Sequence, residues 1–402
     1  MQKALLTSLA VLSSATGAEL HQAPPNKKIV NSYIVSLTES FDREALRTHL
    51  DDMRALLPGD FEPSRVYENM ADHGLAAYAV KLTERGLERL LKNEHVTFIE
   101  EDQEVSINDC ISQSNPDWGT ERVNVRNYNY SRPYTYDYEE DESGKDIDAY
   151  VIDTGIYCDN NDFTGKKVGS CTFGFSSVTN SIGIPDETDG NGHGTHCAGT
   201  IGGQRYGVAK EVNLIAVKVL ADNGGGSTSG VIDGINWVAG RAGTTGKKSV
   251  ANLSLGSSFS QATNNAAKAA FNSGVTMIVA AGNDNSDACG YSPASEPSSI
   301  TVAASDIFNV RASYSNYGSC VDIFGPGSSI TSAWIGSRSA TNTISGTSMA
   351  APQVCGTAAK YLSDDKGLTP TALTNKILST ASKNEISNVM GSPNLMAYGN
   401  CD

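Results

Sequence analysis

The chain has 402 residues, of which 39% are hydrophobic and 39 are glycine, and its formal net charge is −15 at neutral pH. This length allows two domains, and the composition is that of a folded globular protein rather than a disordered one. No cluster of Lys or Arg offsets the acidic charge, so we expect neither nucleic acid nor an anionic membrane as a partner.

Residues 1–18 have the pattern of a secretory signal peptide. Lys3 precedes an apolar run from Ala4 to Leu12, and small residues follow up to Ala18. The apolar run is too short to span a bilayer, and no later segment approaches that length. We therefore expect a secreted, extracellular and soluble protein, with protein or peptide substrates if it is an enzyme, and we expect a monomer.

A small α+β domain is predicted over residues 19–109. Strand patterns occur at 33–37, 64–67, 74–82 and 96–100, and helical spacing of apolar residues occurs at 41–57 and 87–91. The order strand, helix, strand, strand, helix, strand is ferredoxin-like. The proline-containing stretch 23–28 is predicted to be a linker, and Glu101 to Asn108 to be an extended tail.

The remaining residues, 110–402, are predicted to form an α/β domain. Continuous β-rich runs such as Ala149 to Ile152 and Val275 to Ala281 alternate with helical patterns such as Ala262 to Asn272. This alternation predicts a doubly wound parallel sheet. The segment Tyr128 to Ser143, with five tyrosines and several acids, is predicted to lie on the surface.

Asn129-Tyr130-Ser131, within that segment, matches a glycosylation sequon, so Asn129 is a candidate glycosylation site. Asn252-Leu253-Ser254 matches as well, but its apolar neighbours predict a packed strand with no room for a glycan.

Ser348, in Gly346-Thr347-Ser348-Met349-Ala350, is the candidate nucleophile. Glycine at 346 is expected to supply a backbone conformation closed to other residues, and the residues after Ser348 favour a helix. A hydroxyl at a helix N-terminus is well placed for developing negative charge. A serine nucleophile also needs a base, which is nearly always a histidine held by a carboxylate.

Only His193 and His196 lie beyond the first hundred residues, so the base is one of these two. Asp153 ends the apolar run from Ala149 and precedes Thr154-Gly155, as a residue at a strand end would. The resulting order Asp, His, Ser is that of subtilisin-like enzymes and of neither chymotrypsin-like enzymes nor α/β-hydrolases.

Val151-Ile152-Asp153-Thr154-Gly155, His193-Gly194-Thr195-His196 and Gly346-Thr347-Ser348-Met349-Ala350 resemble the three signatures of the subtilisin-like serine proteases. The likeness is to the proteinase K family, and it covers most of the chain from about Trp118 onward. The resemblance implies a serine endopeptidase with an N-terminal inhibitory propeptide that acts as an intramolecular inhibitor and is cut near Asn108 or Asp109. No organic cofactor is implied.

By the same resemblance, His193 is the base, Asp153 orients it, and Asn283 supplies the oxyanion donor. The flanking glycines, which leave His193 accessible, agree with this choice over His196. The substrate would lie between two backbone segments and meet an uncharged first pocket that accepts apolar or aromatic side chains. The predicted residues of the two segments and the pocket are Gly224, Gly225, Gly226, Ser254, Leu255, Gly256, Ala280, Ala281 and Gly282.

The resemblance further implies a structural Ca²⁺ held by the carbonyls of Pro297 and Ser299 and by the carboxylate of Asp322. Glu385 stands at the carboxylate position of a second calcium site, which we leave open.

Eight cysteines, none before Cys110, favour disulfides in an oxidising compartment. Relatives of the family imply the pair Cys289 and Cys320. Cys158 with Cys171, and Cys110 with Cys401, are further candidate pairs. Cys197 and Cys355 sit in the predicted helices that carry the histidine and the serine, and we expect them to be free and buried.

Alternatives to a serine endopeptidase stay open at this point. One is a non-catalytic pseudoprotease that only binds its target. Another is a cysteine hydrolase that uses Cys197, which its position four residues after His193 disfavours. A zinc site made of Asp153, His193 and His196 lacks any established ligand spacing.

Overall fold

The computed structural model describes residues 17–23, 28–103, 110–126, 128–131, 134–139, 143–164, 169–179 and 183–399. The chain divides into two compact units, Met1–Ile107 and Asn108–Asp402. Most of the predicted signal peptide, the predicted cleavage point at 108–109, and Cys401 lie outside the described residues. Within the described ranges, no helix combines the length and the apolar character needed to cross a bilayer.

The first unit is built on a five-stranded sheet. Its strands are β1 (Glu19–His21), β2 (Lys28–Leu37), β3 (Glu62–Val66), β4 (Ala77–Lys81) and β5 (Val96–Gln103), and its helices are α1 (Arg43–Leu56), α2 (Glu68–Ala71) and α3 (Glu84–Leu90). The spatial order is β1-β5-β2-β4-β3. All neighbours are antiparallel except β1 and β5. The ferredoxin-like succession predicted from the sequence is present, with β1 and α2 added to it.

Helix α1 buries one face in the core of this unit. Leu46, Leu50 and Met53, three and four residues apart, belong to the same buried cluster as the strand residues Val35 and Ile99. The helix begins after Asp42, whose side chain accepts a hydrogen bond from a backbone N–H of the first turn at 2.9 Å.

One expectation for this unit is wrong, and one of its strands was not predicted. Glu101 to Gln103 belong to β5 and are not part of an extended tail. Glu101 is buried because it pairs with Nζ of Lys28, 2.6 Å away on the neighbouring strand β2. Strand β1 lies just after the predicted signal peptide and pairs with β5, which is far along the chain. No local sequence pattern predicts this pairing.

The second unit is larger and carries the remaining elements. Its strands are β6 (Cys110–Ser114), β7 (Thr135–Glu139), β8 (Asp148–Asp153), β9 (Cys171–Ser176), β10 (Asn213–Lys218), β11 (Ser249–Leu253), β12 (Ser257–Ser258), β13 (Val275–Ala280), β14 (Tyr291–Ser292), β15 (Ile300–Ser305), β16 (Ile323–Pro326), β17 (Ile330–Ala333), β18 (Thr341–Ile344), β19 (Ser382–Lys383) and β20 (Leu395–Met396). Its helices are α4 (Trp118–Arg122), α5 (Asn161–Thr164), α6 (His193–Gly202), α7 (Thr228–Thr245), α8 (Gln261–Asn272), α9 (Thr347–Asp364) and α10 (Pro370–Thr380), with a 3₁₀ helix at Ala288–Gly290.

A nine-stranded sheet among the described residues runs in the order β19-β20-β16-β15-β13-β11-β8-β10-β9. Its neighbours are parallel except for the pair β19 and β20. The doubly wound parallel sheet predicted from the sequence is therefore confirmed.

Both faces of this sheet are covered, and β8 shows why its sequence is apolar throughout. Ala149 and Val151 face a core shared with α6, α9 and α10, whereas Tyr150 and Ile152 face a second core shared with α7 and α8. A strand buried on both faces reads as a continuous apolar run.

The predicted surface segment from Tyr128 to Ser143 is only partly on the surface. Tyr136, in β7, is fully buried, and its hydroxyl donates to the carbonyl of Val208 at 2.5 Å. The strand pairs with β6 in antiparallel orientation. Tyrosine can bury its ring once its hydroxyl has a partner, which a count of acidic and aromatic residues does not reveal.

The strands β13, β11, β8 and β10 are consecutive in the sheet. Because they are parallel, their C-terminal ends meet at one edge of the sheet, where α/β proteins commonly bind ligands.

Candidate active site

Asp153 and His193 are joined by a hydrogen bond at this edge. Asp153 ends β8 and is fully buried, whereas His193 begins α6 and keeps 25% of its side chain exposed. Nδ1–H of His193 donates to Oδ1 of Asp153 at 2.8 Å, and the backbone N–H of Thr154 donates to the same oxygen at 2.8 Å. With Nδ1 as the donor, Nε2 carries the lone pair that a general base requires.

The turn that presents His193 depends on Gly192 just before the helix. Gly192 has φ of 104°, in the left-handed region that favours glycine. A Cβ at this position would also come within 2.5 Å of the indole ring of Trp334. Another residue would therefore strain the backbone and displace the start of α6.

Asp189, which sequence reasoning missed, ties this turn together. Its Oδ1 accepts from Thr154 Oγ1 at 2.9 Å and from the N–H of Gly192 at 2.9 Å, and its Oδ2 accepts from the N–H and the hydroxyl of Thr195. A buried carboxylate that binds helix N-terminal N–H groups stabilises both the helix and its entry loop. An acid four residues before a helix start was a signal for such a role.

The pKa of His193 is raised well above its usual value. Burial alone would lower the pKa of His193 by disfavouring the imidazolium, but the negative charge of Asp153 outweighs burial. The imidazole is thus a strong base whose protonated form the carboxylate stabilises.

His196 has a structural role in the fold. It is fully buried, its Nε2–H donates to the carbonyl of Ile330 at 3.0 Å, and its ring packs edge-on against Trp334. Burial lowers the pKa of His196 to about 4, so it stays neutral. It does not join Asp153 and His193 in a metal site.

Cys197 is the residue that completes a close cluster with Asp153 and His193. Their ligand-type atoms all lie within 4.8 Å of one another. The thiol is fully buried, burial raises the pKa of Cys197, and its Sγ lies 4.0 Å from Nδ1, on the opposite side of the ring from Nε2. A protonated, inaccessible thiol on that side does not suit a nucleophile that uses this base.

Ser348 is the second residue of α9 and is partly exposed. The expectation that Gly346 is needed for its backbone conformation is wrong. Its φ of 164° is extended backbone, and a Cβ there would meet nothing closer than 3.6 Å. The helix N-terminus itself remains the feature that favours negative charge beside Ser348.

Pro352 explains how the start of α9 is held. It lacks the N–H that would bond to the carbonyl of Ser348 four residues earlier. That carbonyl accepts instead from Oγ of Ser254 at 2.8 Å and from Sγ of Cys197 at 3.4 Å. The helix of the serine is therefore fixed by the segment after β11 and by the helix of the histidine.

The hydroxyl of Ser348 donates to the backbone carbonyl of Ser254 at 3.1 Å. Among the hydrogen bonds of the described residues, none joins Oγ of Ser348 to His193. Catalytic hydrogen bonds are often formed only once substrate is bound, so a rotation of the hydroxyl is needed before attack.

Asn283 follows β13 and is exposed. Its Oδ1 accepts from the N–H of Thr347 at 2.8 Å and from the hydroxyl of Thr347 at 3.0 Å. With the oxygen engaged in this way, the amide NH₂ is left to donate into the cleft beside Ser348. Thr347 is a second residue that sequence reasoning missed.

Two adjoining clefts contain the predicted substrate residues. One, of about 460 Å³, is lined by His193, by the glycines 224–226 and by 254–256. The other, of about 360 Å³, is lined by 254–256, 280–283 and Ser348. The segment 254–256 lines both, so the two clefts adjoin along it. Sequence reasoning missed Leu220, Val231 and Tyr291 in the walls.

The cysteines form two disulfides in the described part of the chain, Cys289 with Cys320 and Cys158 with Cys171, with Cα atoms 5.3 and 5.6 Å apart. Cys197 and Cys355 are free and buried. Cys110 is disulfide-bonded.

Of the candidate glycosylation residues, Asn129 is exposed and Asn252 is fully buried.

The candidate calcium ligand Asp322 has a mostly buried carboxyl group, and burial raises the pKa of Asp322 to about 6. One of its oxygens accepts from the N–H of Thr301 at 2.8 Å. A carboxylate that is costly to bury without a positive charge fits a cation site. Glu385 instead pairs with the buried guanidinium of Arg122 at 2.5 Å, which occupies the carboxylate that a second ion would need.

A carboxylate, an imidazole and a serine hydroxyl at one edge of a parallel α/β sheet are the groups that a serine hydrolase uses. The chain belongs to the subtilase family, whose model matches residues 144–399. Residues 32–108 match the peptidase inhibitor I9 family. The chain is therefore a subtilisin-like serine protease with an N-terminal propeptide of the inhibitor type.

The chain is similar over its whole length to extracellular and alkaline proteases. It is 40% identical to a cuticle-degrading serine protease of Arthrobotrys oligospora, with 98% of each chain covered. It is 40% identical to alkaline protease 1 of Aspergillus clavatus, covering 99% of this chain and 98% of the relative. It is 42% identical to an extracellular serine proteinase of a Thermus species, with 98% of each covered.

Among solved structures, the chain is similar to a cold-adapted subtilisin-like serine proteinase. The sequence identity is 45%, and the TM-score is 0.65. The match covers 72% of this chain and all of the solved one.

Proposed function

We propose that the protein is a secreted serine endopeptidase that hydrolyses peptide bonds through an acyl-enzyme. The observation that carries the proposal is that His193 lines one cleft and Ser348 and Asn283 line the adjoining one, while Asp153 accepts a hydrogen bond from Nδ1 of the imidazole. The roles follow from this arrangement. Ser348 is the nucleophile, His193 the base, Asp153 the group that orients the base, and Asn283 the oxyanion donor.

In the first step, Oγ of Ser348 attacks the peptide carbonyl carbon while its proton passes to Nε2 of His193. The carbonyl oxygen becomes an oxyanion, stabilised by the amide of Asn283 and by the backbone N–H of Ser348. The C–N bond then breaks, and the imidazolium gives its proton to the departing amine. Water repeats the sequence on the acyl-enzyme and releases the new carboxyl group.

Broad specificity with a preference for apolar or aromatic residues before the cut follows from the walls of the cleft. The pocket residues Leu255, Ala280 and Ala281 are uncharged, and the flanking segments offer backbone groups that pair with any extended peptide. Asp284 also lines this cleft. Its side chain is at an exposed position, so its charge is not part of the apolar wall formed by Leu255, Ala280 and Ala281.

The precursor is proposed to consist of a signal peptide at 1–18, an inhibitory domain at 19–109 and a mature enzyme at 110–402. The match of 32–108 to the I9 inhibitor family supports an intramolecular inhibitor. The extracellular or alkaline proteases among its relatives support secretion.

A structural Ca²⁺ is proposed at Asp322 with the carbonyls of Pro297 and Ser299. The support is the mostly buried carboxyl group of Asp322, because a bound cation would stabilise its charged form.

Labelling of the secreted protein with a peptidyl phosphonate tests the proposal. The wild type should be labelled once per chain, Ser348→Ala should not be labelled, and the control Ser345→Ala should be labelled like the wild type. Cys197→Ala should keep its label, which separates this mechanism from that of a cysteine hydrolase. A wild type that binds peptide but takes no label would instead be a pseudoprotease.

Expression of Ser348→Ala with its leader tests self-processing. An uncut precursor that retains residues 33–108 should accumulate. Normal processing of this variant would show that another protease makes the cut.

A further inference from the structure

Lys218 is a fully buried lysine that the mechanism above does not use. It ends β10, where it lies in register with Asp153 on β8 and with Ser176 on β9. A buried ammonium group is costly unless it is paired with opposite charge and its donors are satisfied. Its partners therefore indicate what the residue does.

The first partner of Lys218 belongs to the turn after the catalytic carboxylate. Nζ donates to the carbonyl of Thr154 at 2.7 Å. The N–H of Thr154 binds Asp153, and its hydroxyl donates to Asp189 while accepting from the N–H of Gly194. Lys218 thus holds the residue that connects Asp153 to the start of the helix of His193.

The second partner of Lys218 is Asp222, which lies just before the proposed substrate segment 224–226. Nζ donates to Oδ1 of Asp222 at 2.9 Å, and Oδ2 of Asp186 lies 3.6 Å away. Asp222 precedes Asn223 and the three glycines that line the larger cleft, and it also accepts from the N–H of Gly190 at 3.2 Å. The side chain of Asp222 is 55% exposed, whereas that of Lys218 is fully buried.

The chain around Asp222 forms a tight turn that includes Gly224 and Gly225. The N–H of Ala221 donates to the carbonyl of Gly225, and the N–H of Gly224 donates to the carbonyl of Ala221, both at 2.8 Å. Residues 224–226 are exposed and glycine-rich. Two further hydrogen bonds hold this stretch: the N–H of Gly225 donates to Oδ1 of Asn223, and Nδ2 of Asn191 donates to the carbonyl of Asp222, both at 2.9 Å.

We propose that Lys218 is a positioning residue that couples the substrate segment 224–226 to the Asp153–His193 pair. The inference rests on the proposed function. Through Thr154 it sets the position of Asp153, and through Asp222 it sets the segment that receives the peptide backbone. Occupation of the segment by an extended substrate then stabilises the same arrangement that orients the base.

The positive charge of Lys218 gives the proposal an electrostatic signature. It opposes protonation of His193, whereas the charge of Asp222 favours it. Lys218→Met should therefore move the acidic limb of the pH profile of kcat/KM to higher pH, and Lys218→Arg should restore the limb. Asp222→Asn should move the limb to lower pH. A residue with only a stabilising role in the fold would not shift the limb in opposite directions in the two variants.

The experiment compares a tetrapeptide anilide, which reaches 224–226, with a single-residue ester, which does not. Asp222→Asn, at an exposed side chain, is the variant expected to fold normally. It should raise KM for the tetrapeptide by at least about fivefold while changing kcat/KM for the ester by less than about twofold at a pH above the limb. Asp233→Asn, which makes the same change at an exposed carboxylate on α7, is the control and should leave the ratio of the two substrates unchanged.

Equal effects of Asp222→Asn on both substrates, or no effect on either, would overturn the role of Lys218. A limb that Lys218→Met leaves in place would overturn it as well. If Lys218→Met does not fold, the KM ratio and the limb of Asp222→Asn decide the question. Inactivity of the wild type toward both substrates would overturn the proposed function, and this inference with it.

Discussion

Ser254 and Ser348 are joined by two hydrogen bonds that run in opposite directions. The hydroxyl of Ser348 donates to the carbonyl of Ser254 at 3.1 Å, and the hydroxyl of Ser254 donates to the carbonyl of Ser348 at 2.8 Å. The second bond replaces the helical one that Pro352 cannot make. The proposed nucleophile is thus held by Ser254, which belongs to the cleft-lining segment 254–256.

Ser254→Ala should lower kcat because it leaves the carbonyl of Ser348 with only the weak thiol donor of Cys197. Loss of a hydrogen bond to a largely buried carbonyl costs about 1–3 kcal/mol, and if half of this cost falls on the orientation of Ser348, kcat drops roughly 3- to 10-fold. Steady-state kinetics on a peptide anilide would measure this drop in kcat. Ser337→Ala, at an exposed serine, is the control, and a kcat equal to that of the wild type in Ser254→Ala would contradict the expectation.

Asp153→Asn should reduce kcat by roughly 10⁴-fold, the scale known for this substitution in serine proteases. The amide cannot hold the imidazole in the required tautomer or stabilise its cation. Residual activity should survive, since Ser348 and Asn283 remain. A loss below tenfold, with the variant folded by circular dichroism, would argue that Asp153 does not orient the base.

Activity should rise with pH and reach its plateau only on the alkaline side. The pKa of His193 is raised, chiefly by Asp153 acting against the effect of burial, and the imidazole must be neutral to accept the proton of Ser348. The acidic limb of kcat/KM should therefore lie above the ordinary histidine pKa of about 6.5. A limb below that value would contradict the raised pKa.

Asn283→Ala should lower kcat about 10²- to 10³-fold with little change in KM, the scale known from subtilisin for loss of an oxyanion donor. The amide meets charge that exists only in the transition state, so substrate binding is spared. Asn265→Ala, an exposed asparagine on α8, serves as the matched control. A proportionate rise in KM would instead indicate a role in binding.

Removal of calcium should destabilise the protein, and Asp322→Asn should abolish that dependence. A cation bound only to the native state stabilises it by about 2.7 kcal/mol at a hundred times Kd. Thermal unfolding of the Ser348→Ala protein with CaCl₂ or with EGTA measures the difference in Tm. Equal Tm values under both conditions in the parent protein would rule out a stabilising ion. A calcium effect that persists in Asp322→Asn would place the ion elsewhere.

The first unit should lose stability in acid because of His49. This side chain is 3% exposed and contacts the hydroxyl of Tyr78 at 3.1 Å, and burial, with the nearby His95, lowers the pKa of His49 to about 4. The unfolded state binds the proton first, so stability is complete above the unfolded pKa near 6.5 and falls as pH drops toward 4. The loss approaches about 3 kcal/mol at the acidic end of that range.

Hydrogen exchange of the amides in β2, β4 and β5 of the Ser348→Ala precursor would follow this loss. His49→Phe should flatten the pH dependence between 6.5 and 4, whereas His73→Phe, at an exposed histidine, should not. A dependence unchanged in His49→Phe would assign the acid sensitivity to other groups.

Asp153, Ser348 and the histidine pair His193 and His196 could be singled out from the sequence because their signals are local. The role of Asn283 rested on the resemblance to subtilisin-like proteases, and so, in part, did the choice of His193. Asp153 ends an apolar run, His193 stands between glycines, and Ser348 precedes a helix-forming stretch, so each motif describes its own surroundings. The parallel sheet could also be predicted, since strands buried on both faces have a distinctive composition.

What could not be predicted depends on pairings between distant residues. Lys218 reads as an ordinary surface lysine until β10 is placed beside β8, and Asp189 reads as a loop acid until Thr154 and Thr195 are brought to it. Tyr136 lies in an acidic, polar segment, and only the carbonyl of Val208, 72 residues away, shows why it can be buried. The order of the strands in the sheet likewise has no local signature.

Asp153 ends β8, and Ser254 and Asn283 follow β11 and β13, three strands in the interior of the nine-stranded sheet. His193 and Ser348 lie at the starts of α6 and α9, which pack on one face of that sheet. The outer strands β9, β16, β19 and β20 carry none of them. A substitution in these outer strands therefore changes none of the strand ends that carry Asp153, Ser254 and Asn283.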